Sequence, residues 1–247
     1  MKIYYINLEE RKDRKNFFEN QFDSSDLRPI RIPAITLKED VNNFAPPAVS
    51  ACWLSHQLAY KKLLESNESH ALIFEDDAIV KEDLIEVIQK INNINLGDLD
   101  LFQLGYLKDS NGLTVDSGKI DTLHRWRASL DFFIKDKILR KKVKDTNNSE
   151  IKDLKKNLGI RNPLLKDSFE AGAHCYIISQ KLARELVDYN INPIIISADL
   201  LLIEVANSKK FKCVRVSKSF CLQDSSLGSN IVLRSRKNLS HPTSGIN

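Results

Sequence analysis

No two cysteines in this sequence are spaced as Cys-x-x-Cys: the four present, Cys52, Cys175, Cys213 and Cys221, fall far apart. That excludes a zinc knuckle and a dithiol redox motif, and leaves buried free thiols in a reducing compartment as the expected state. Long apolar runs are also missing. The most apolar stretch, 193–206, carries Asp199 and Glu204 and falls short of the roughly 18 apolar residues of a membrane span. Residues 1–8 are a strand-like run that turns at once into the charged stretch 9–15, so no export signal is read there. The expectation is a cytoplasmic protein whose membrane contact, if any, is peripheral. Walker loop, internal repeat and low-complexity tract are all absent.

What is present is a chain of 247 residues with 42% hydrophobic content, enough to bury the core of one large α/β domain or of one domain plus a small lobe. The net charge of +4 is unevenly spread: residues 135–166 hold eleven Lys or Arg against four Asp or Glu. With Phe132, Phe133, Ile138, Leu139 and Val143 interleaved, this basic segment could lie on anionic headgroups, although a solvated helical excursion explains it equally well. No nucleic-acid partner is expected.

The pattern opens β-α. Residues 2–8 are aromatic and branched and read as a strand, 9–22 as a helix and 31–35 as a short second strand. Residues 42–49, with Pro46 and Pro47, read as loop, with Ser50 as the N-cap of a helix from Ala51. Residues 71–74 are a buried strand ending in three consecutive acids, Glu75, Asp76 and Asp77, and 81–91 resume a helical period. Further strands are expected at 100–104, 175–178 and 212–216, with a helix at 180–189. Residues 108–166 read as an insertion or lid, and 232–247 as a basic tail, of a single domain spanning 1–247.

Three adjacent acids after a buried strand repel one another and need a cation or hydrogen bonds to offset their charge. In open α/β sheets the ligand crevice lies outside the carboxyl ends of the strands, where these acids fall. A hard divalent cation with a substrate diphosphate would satisfy them without a dedicated cage; a solvated turn whose acid caps the next helix is the bland alternative.

Several ordered blocks resemble glycosyltransferase family 25, the lipooligosaccharide-biosynthesis galactosyl- and glucosyltransferases. Ile6-Asn7-Leu8 with Arg11, Asp13 and Arg14 is similar to the family's I-N-L-x-x-R-x-D-R opening. Ala51-Cys52-Trp53-Leu54-Ser55-His56 resembles its G-C-x-L-S-H helix, and Glu75-Asp76-Asp77 its E-D-D metal motif. The segment from Gly172 to Ser179 resembles G-T-x-G-Y-I-I-S, Asp199 falls at D-x-L, and Gln223-Asp224 with Ser229-Asn230-Ile231 resembles the terminal Q-D…S-D-I. The departures are Ala51 for Gly, His174-Cys175 near an expected Gly, and Asn230 for Asp.

The resemblance implies a GT-A-like fold with a single Rossmann-type nucleotide-binding sheet, a UDP-sugar donor, and Mn²⁺ or Mg²⁺. It implies transfer of a hexose, galactose first and glucose second, to a lipooligosaccharide or lipopolysaccharide acceptor at the inner membrane face. Asp77 is the expected metal ligand and Asp224 the second, while Glu75 and Asp76 would orient the donor. Asn7, Leu8, Arg11, Arg14, Ser55, His56 and Gly172 are the expected donor-side residues. If the reaction inverts the anomeric centre, a base must take the acceptor's proton, and Asp199, in its apolar neighbourhood, is the candidate; an N-terminal helix position after Ser197 would explain it as well. A metal-dependent phosphoryl-transfer enzyme and a non-catalytic glycan- or membrane-binding module remain the rival readings.

Overall fold

The computed structural model describes residues 1–37, 47–93, 96–106, 172–187, 197–208, 210–216 and 219–224. The insertion expected at 108–166, the basic tail and the Ser229-Asn230-Ile231 block lie outside the described residues.

The chain opens with strand β1 (Lys2–Asn7), helix α1 (Lys12–Asn20) and strand β2 (Ile30–Pro33). β1 is buried on both faces, as a central strand between two layers must be. Its alternate residues go opposite ways: Ile3 and Tyr5 join one core, Tyr4 and Ile6 the other. Tyr5 stacks on Phe18 of α1, ring centroids 4.8 Å apart. Phe18 in turn meets Phe74 at 5.2 Å.

Helix α2 (Pro47–Leu64) follows, then β3 (His70–Glu75), β4 (Ala78–Val80), α3 (Glu82–Asn92) and β5 (Leu101–Gly105). After the undescribed middle come β6 (Cys175–Ser179), α4 (Gln180–Val187), α5 (Ala198–Asn207), β7 (Cys213–Arg215) and β8 (Cys221–Gln223). α1, the turn after it and α3 bury Phe18, Phe22, and Leu84 with Ile88, respectively, against one face of the sheet. α2, α4 and α5 bury Trp53, Tyr60, Leu182 and Leu202 against the other. The result is a three-layer α/β arrangement, the α/β class expected from the sequence.

One expectation fails locally. α2 begins at Pro47 and Ser50 lies buried within it, so neither the loop to Val49 nor the Ser50 cap is found. Proline is well placed there, because a helix's first N–H groups have no intrahelical acceptor to lose and proline's fixed φ suits the first turn.

Among the described residues the sheet has eight strands in the order β2-β1-β3-β6-β5-β8-β4, with β7 also on β5. β2, β1 and β3 run parallel, the Rossmann-type half. β6 is antiparallel to both β3 and β5, so the sheet is mixed and the amino end of β6 meets the carboxyl ends of its neighbours. Two strands and two distant chain segments therefore converge on one edge. Ile6 pairs with Glu75 across β1 and β3, and Ala78 pairs with Gln223 across β4 and β8.

Candidate active site

Glu75 ends β3, and Asp76 and Asp77 form the tight connection to β4. Asp76 is buried and doubly held: it accepts from Asn7 Nδ2 at 2.7 Å and from Arg14 Nη1 at 2.8 Å. Asn7 is itself committed, since Nδ2 also donates to the Arg11 carbonyl at 3.0 Å and Oδ1 accepts from Arg31 Nε at 2.8 Å. Burial raises the Asp76 pKa, partly offset by the Asn7 bond and the Arg14 charge.

Asp77 is less well compensated. Its Oδ2 accepts from Gln223 Nε2 at 3.2 Å and lies 3.4 Å from Arg14 Nη1. Its Oδ1 is buried with no hydrogen-bond partner among the described residues. Burial, then the neighbouring Glu75 charge, push its pKa up to about 7 against the weaker pull of Gln223 and Arg14. A buried carboxylate oxygen without a donor is costly unless a cation meets it. The Asp224 N–H donates to the Asp77 carbonyl at 2.8 Å, which brings the chain's two distant acids side by side. Hard oxygen donors of this kind suit Mg²⁺ or Mn²⁺, so the Asp77 carboxylate fits a divalent cation.

Glu75 faces the other way, toward α2. It lies 3.2 Å from His56 Nε2, while His56 Nδ1 lies 2.7 Å from the Tyr176 hydroxyl, itself 2.7 Å from that of Tyr60. An ionised Glu75 can only accept, so the His56 Nε2–H donates to it. In the tautomer with Nδ1 bare, Tyr176 donates to Nδ1 and Tyr60 donates to Tyr176. Burial alone would raise the Glu75 pKa, but the His56 hydrogen bond and the charges of His56, His174 and Arg14 outweigh it, and the net shift is downward. Glu75 and Asp77 are thus pushed in opposite directions although one residue separates them, a pattern that marks functional carboxylates.

These groups face a cleft of ≈ 280 Å³, lined by Leu8, Arg14, Cys52, Ser55, His56, Glu75, Asp76, Asp77 and Gln223 among others. Six of the expected donor-side residues therefore share it: Leu8, Arg14, Ser55, His56, Glu75 and Asp76. Arg11 instead pairs with Asp13 at 2.7 Å, and Asn7 braces Asp76 from behind. Ser55 donates to the Ala51 carbonyl at 2.6 Å and accepts from the Ile35 N–H at 2.8 Å, which ties α2 to the segment after β2. Gly172, at φ 109°, makes a turn that L residues rarely adopt, and its carbonyl accepts from Gln103 Nε2 at 2.9 Å. Asp199 sits in the first turn of α5, its Oδ1 accepting from Ser197 Oγ and, at 2.9 Å, from the Leu200 N–H. Its charge reaches Cys52 and His174.

Sequence reasoning missed Tyr60, Tyr176 and Cys52 as site residues. For two of them a signal existed: Cys52, His56 and Tyr60 recur every four residues, one stripe of a helix.

A model of glycosyltransferase family 25, described as an LPS biosynthesis protein family, matches residues 1–202. The chain belongs to glycosyltransferase family 25. Its reaction class is glycosyl transfer, and the matched span takes in α2, the three acids and Asp199. No curated protein sequence matches this family 25 chain. Among solved structures it is similar to the galactosyltransferase LgtC in complex with donor and acceptor sugar analogues, at 11% identity and a TM-score of 0.42 over 87% of this chain and 73% of that one. A likeness of that degree carries no argument about this family member.

Proposed function

We propose that this family 25 protein has a GT-A-like fold and transfers a hexose from a UDP-sugar, galactose first and glucose second, to a lipooligosaccharide or lipopolysaccharide acceptor. The observation that carries the reading is the buried Asp77 Oδ1, without a hydrogen-bond partner among the described residues, at the carboxyl edge of the parallel strands beside a cleft that Asp77 lines. Asp77 and Asp224 would hold Mn²⁺ or Mg²⁺, which supplies charge neutralisation at the departing diphosphate. Arg14 and Asn7 fix Asp76 beside that position, so Asp76 can orient the donor without moving. Glu75, kept ionised by His56, presents an acceptor for donor hydroxyls. Leu8 offers backbone groups and an apolar surface for the base.

Asp199 is the base in an inverting reaction, taking the proton from the acceptor hydroxyl as that oxygen attacks the anomeric carbon. Its carboxylate is oriented by Ser197 and Leu200. No helix among the described residues is long and apolar enough to cross a membrane. Peripheral contact at the inner face remains the proposed route to a lipid-borne acceptor, supported by the basic composition of residues 135–166.

The test is UDP release from a panel of UDP-hexoses, with Mn²⁺ or with EDTA, for the wild type and Asp77→Asn. Donor-selective, metal-dependent release that falls by about 10²-fold or more in Asp77→Asn is expected. No metal-dependent release from a folded protein supplied with truncated lipooligosaccharide would refute the reading and leave a glycan-binding module.

A further inference from the structure

Cys52, His56 and Glu75, all part of the cleft wall, each offer one ligand atom, the three within 4.8 Å of one another. His56 Nε2 and Glu75 Oε1 are 3.2 Å apart, and Cys52 Sγ and Glu75 Oε1 are 4.0 Å apart. In a tetrahedral zinc site, metal–ligand lengths of about 2.0–2.3 Å put the ligand atoms roughly 3.3–3.6 Å from each other. The His56–Glu75 separation already matches, the Cys52–Glu75 separation is about 0.4 Å too long, and the Cys52–His56 separation, within 4.8 Å, closes by up to about 1.2 Å through rotation of the Cys52 thiol. The geometry is local to two elements: Cys52 and His56 are one turn apart on α2, and Glu75 ends β3 opposite them.

We propose that Cys52, His56 and Glu75 form a second divalent-metal site, selective for thiophilic cations of the zinc class, whose occupation blocks the donor cleft. A thiolate and an imidazole favour Zn²⁺, Cd²⁺ or Co²⁺ over the oxygen-seeking Mg²⁺ and Mn²⁺ that suit Asp77, so the two positions in one cleft sort cations by softness. Three protein ligands leave a fourth position open toward the cleft, where all three residues are wall.

The hydrogen bonds behind His56 are arranged to accept this change. When the metal takes Nε2, the imidazole proton moves to Nδ1, where the Tyr176 hydroxyl at 2.7 Å accepts it and turns its own proton toward Tyr60. The proton released to solvent is that of the Cys52 thiol. Occupation also takes the Glu75 carboxylate away from any donor hydroxyl. That last consequence rests on the transferase reading, whereas the site itself does not.

The experiment is Co²⁺ titration of the reduced full-length protein, followed by the thiolate-to-cobalt charge-transfer absorption in the near ultraviolet. One equivalent of Co²⁺ should produce the band, and Zn²⁺ should abolish it by displacement. Cys52→Ala and Cys52→Ser, two variants in case one folds poorly, should both lack it, while Asp77→Asn should keep it. If UDP release is observed, the Zn²⁺ concentration for half inhibition should rise by about tenfold or more in Cys52→Ala. Absence of the band in the wild type, or its survival in folded Cys52 variants, overturns the site whether or not the protein turns over a donor. Failure of turnover with an intact band overturns only the transferase reading.

Discussion

Replacing Arg14 by methionine removes the guanidinium that pairs with Asp76 at 2.8 Å and approaches Asp77 at 3.4 Å. The pair is nearly dry, with side-chain exposures of 9% for Arg14 and 8% for Asp76. Removing one member of such a pair leaves the other charge buried with only the Asn7 amide to hold it, and typically costs about 3–5 kcal/mol. For a protein of this size each kcal/mol lowers Tm by about 2–4 °C, so Arg14→Met should lower Tm by roughly 6–20 °C in EDTA. Methionine fills much the same volume, which keeps a packing loss from dominating.

A double-mutant cycle separates lost attraction from a stranded charge. Asp76→Asn keeps an oxygen for Asn7 Nδ2 but no charge, so adding it to Arg14→Met should recover most of the lost stability, with a coupling of about 2–4 kcal/mol. Thermal unfolding followed by circular dichroism for the four proteins gives the number. Strictly additive losses, or a Tm in Arg14→Met within about 2 °C of the wild type, would show that Arg14 does not serve to neutralise the acids.

Saturating Mn²⁺, at about 100 times its Kd, should stabilise the wild type by about 2.7 kcal/mol, roughly 5–11 °C in Tm. Asp77→Asn should show no such shift in the same thermal scan. At Gly105 an added Cβ would lie 2.8 Å from the Cβ atoms of both Cys175 and Cys221 and 2.9 Å from His174 Nε2. Gly105→Ala should therefore cost about 1–3 kcal/mol, read as a lower denaturation midpoint in urea. His70 is buried, Nε2 donating to the Leu99 carbonyl at 2.8 Å, and burial holds its pKa below 6.5. The unfolded chain then takes up this proton first, so stability is complete above about pH 6.5 and declines as pH falls through the folded value. His70→Gln should flatten the Tm profile between pH 7 and 5, and an unchanged slope would contradict the assignment.

The parts legible in the sequence were those written locally. A buried strand ending in Glu75-Asp76-Asp77 fixes where charge accumulates, and Ile6-Asn7-Leu8 with Arg14 fixes which helix follows the first strand. What each residue does there depends on partners the local pattern does not name. Asn7 ends a strand, a position that suggests a donor contact, while its side-chain amide donates to Asp76, 69 residues away. β4 and β8 have three residues each, too short for a period of two to register, although their pairing sets Gln223 and Asp224 against Asp77. The loop read up to Val49 came from counting Pro46 and Pro47 as breakers, when Pro47 at a helix's first position breaks nothing.

Mixed strand direction decides what can reach the acids. Had β6 run parallel to β3, its amino end would lie at the far edge of the sheet, and His174 and Tyr176 with it. Because it runs antiparallel, with Phe74 opposite Cys175 and Ile73 opposite Tyr176, those side chains arrive at the edge where β3 ends. β5 is antiparallel to β6 and hence runs with β3, so Gly105 also emerges there, and Gln103 ties the re-entry point through the Gly172 carbonyl. β5 thus ends and β6 begins on the cleft side, and the pairings that hold the acids, β3 with β1 and β6 and β4 with β8, are made within the described residues.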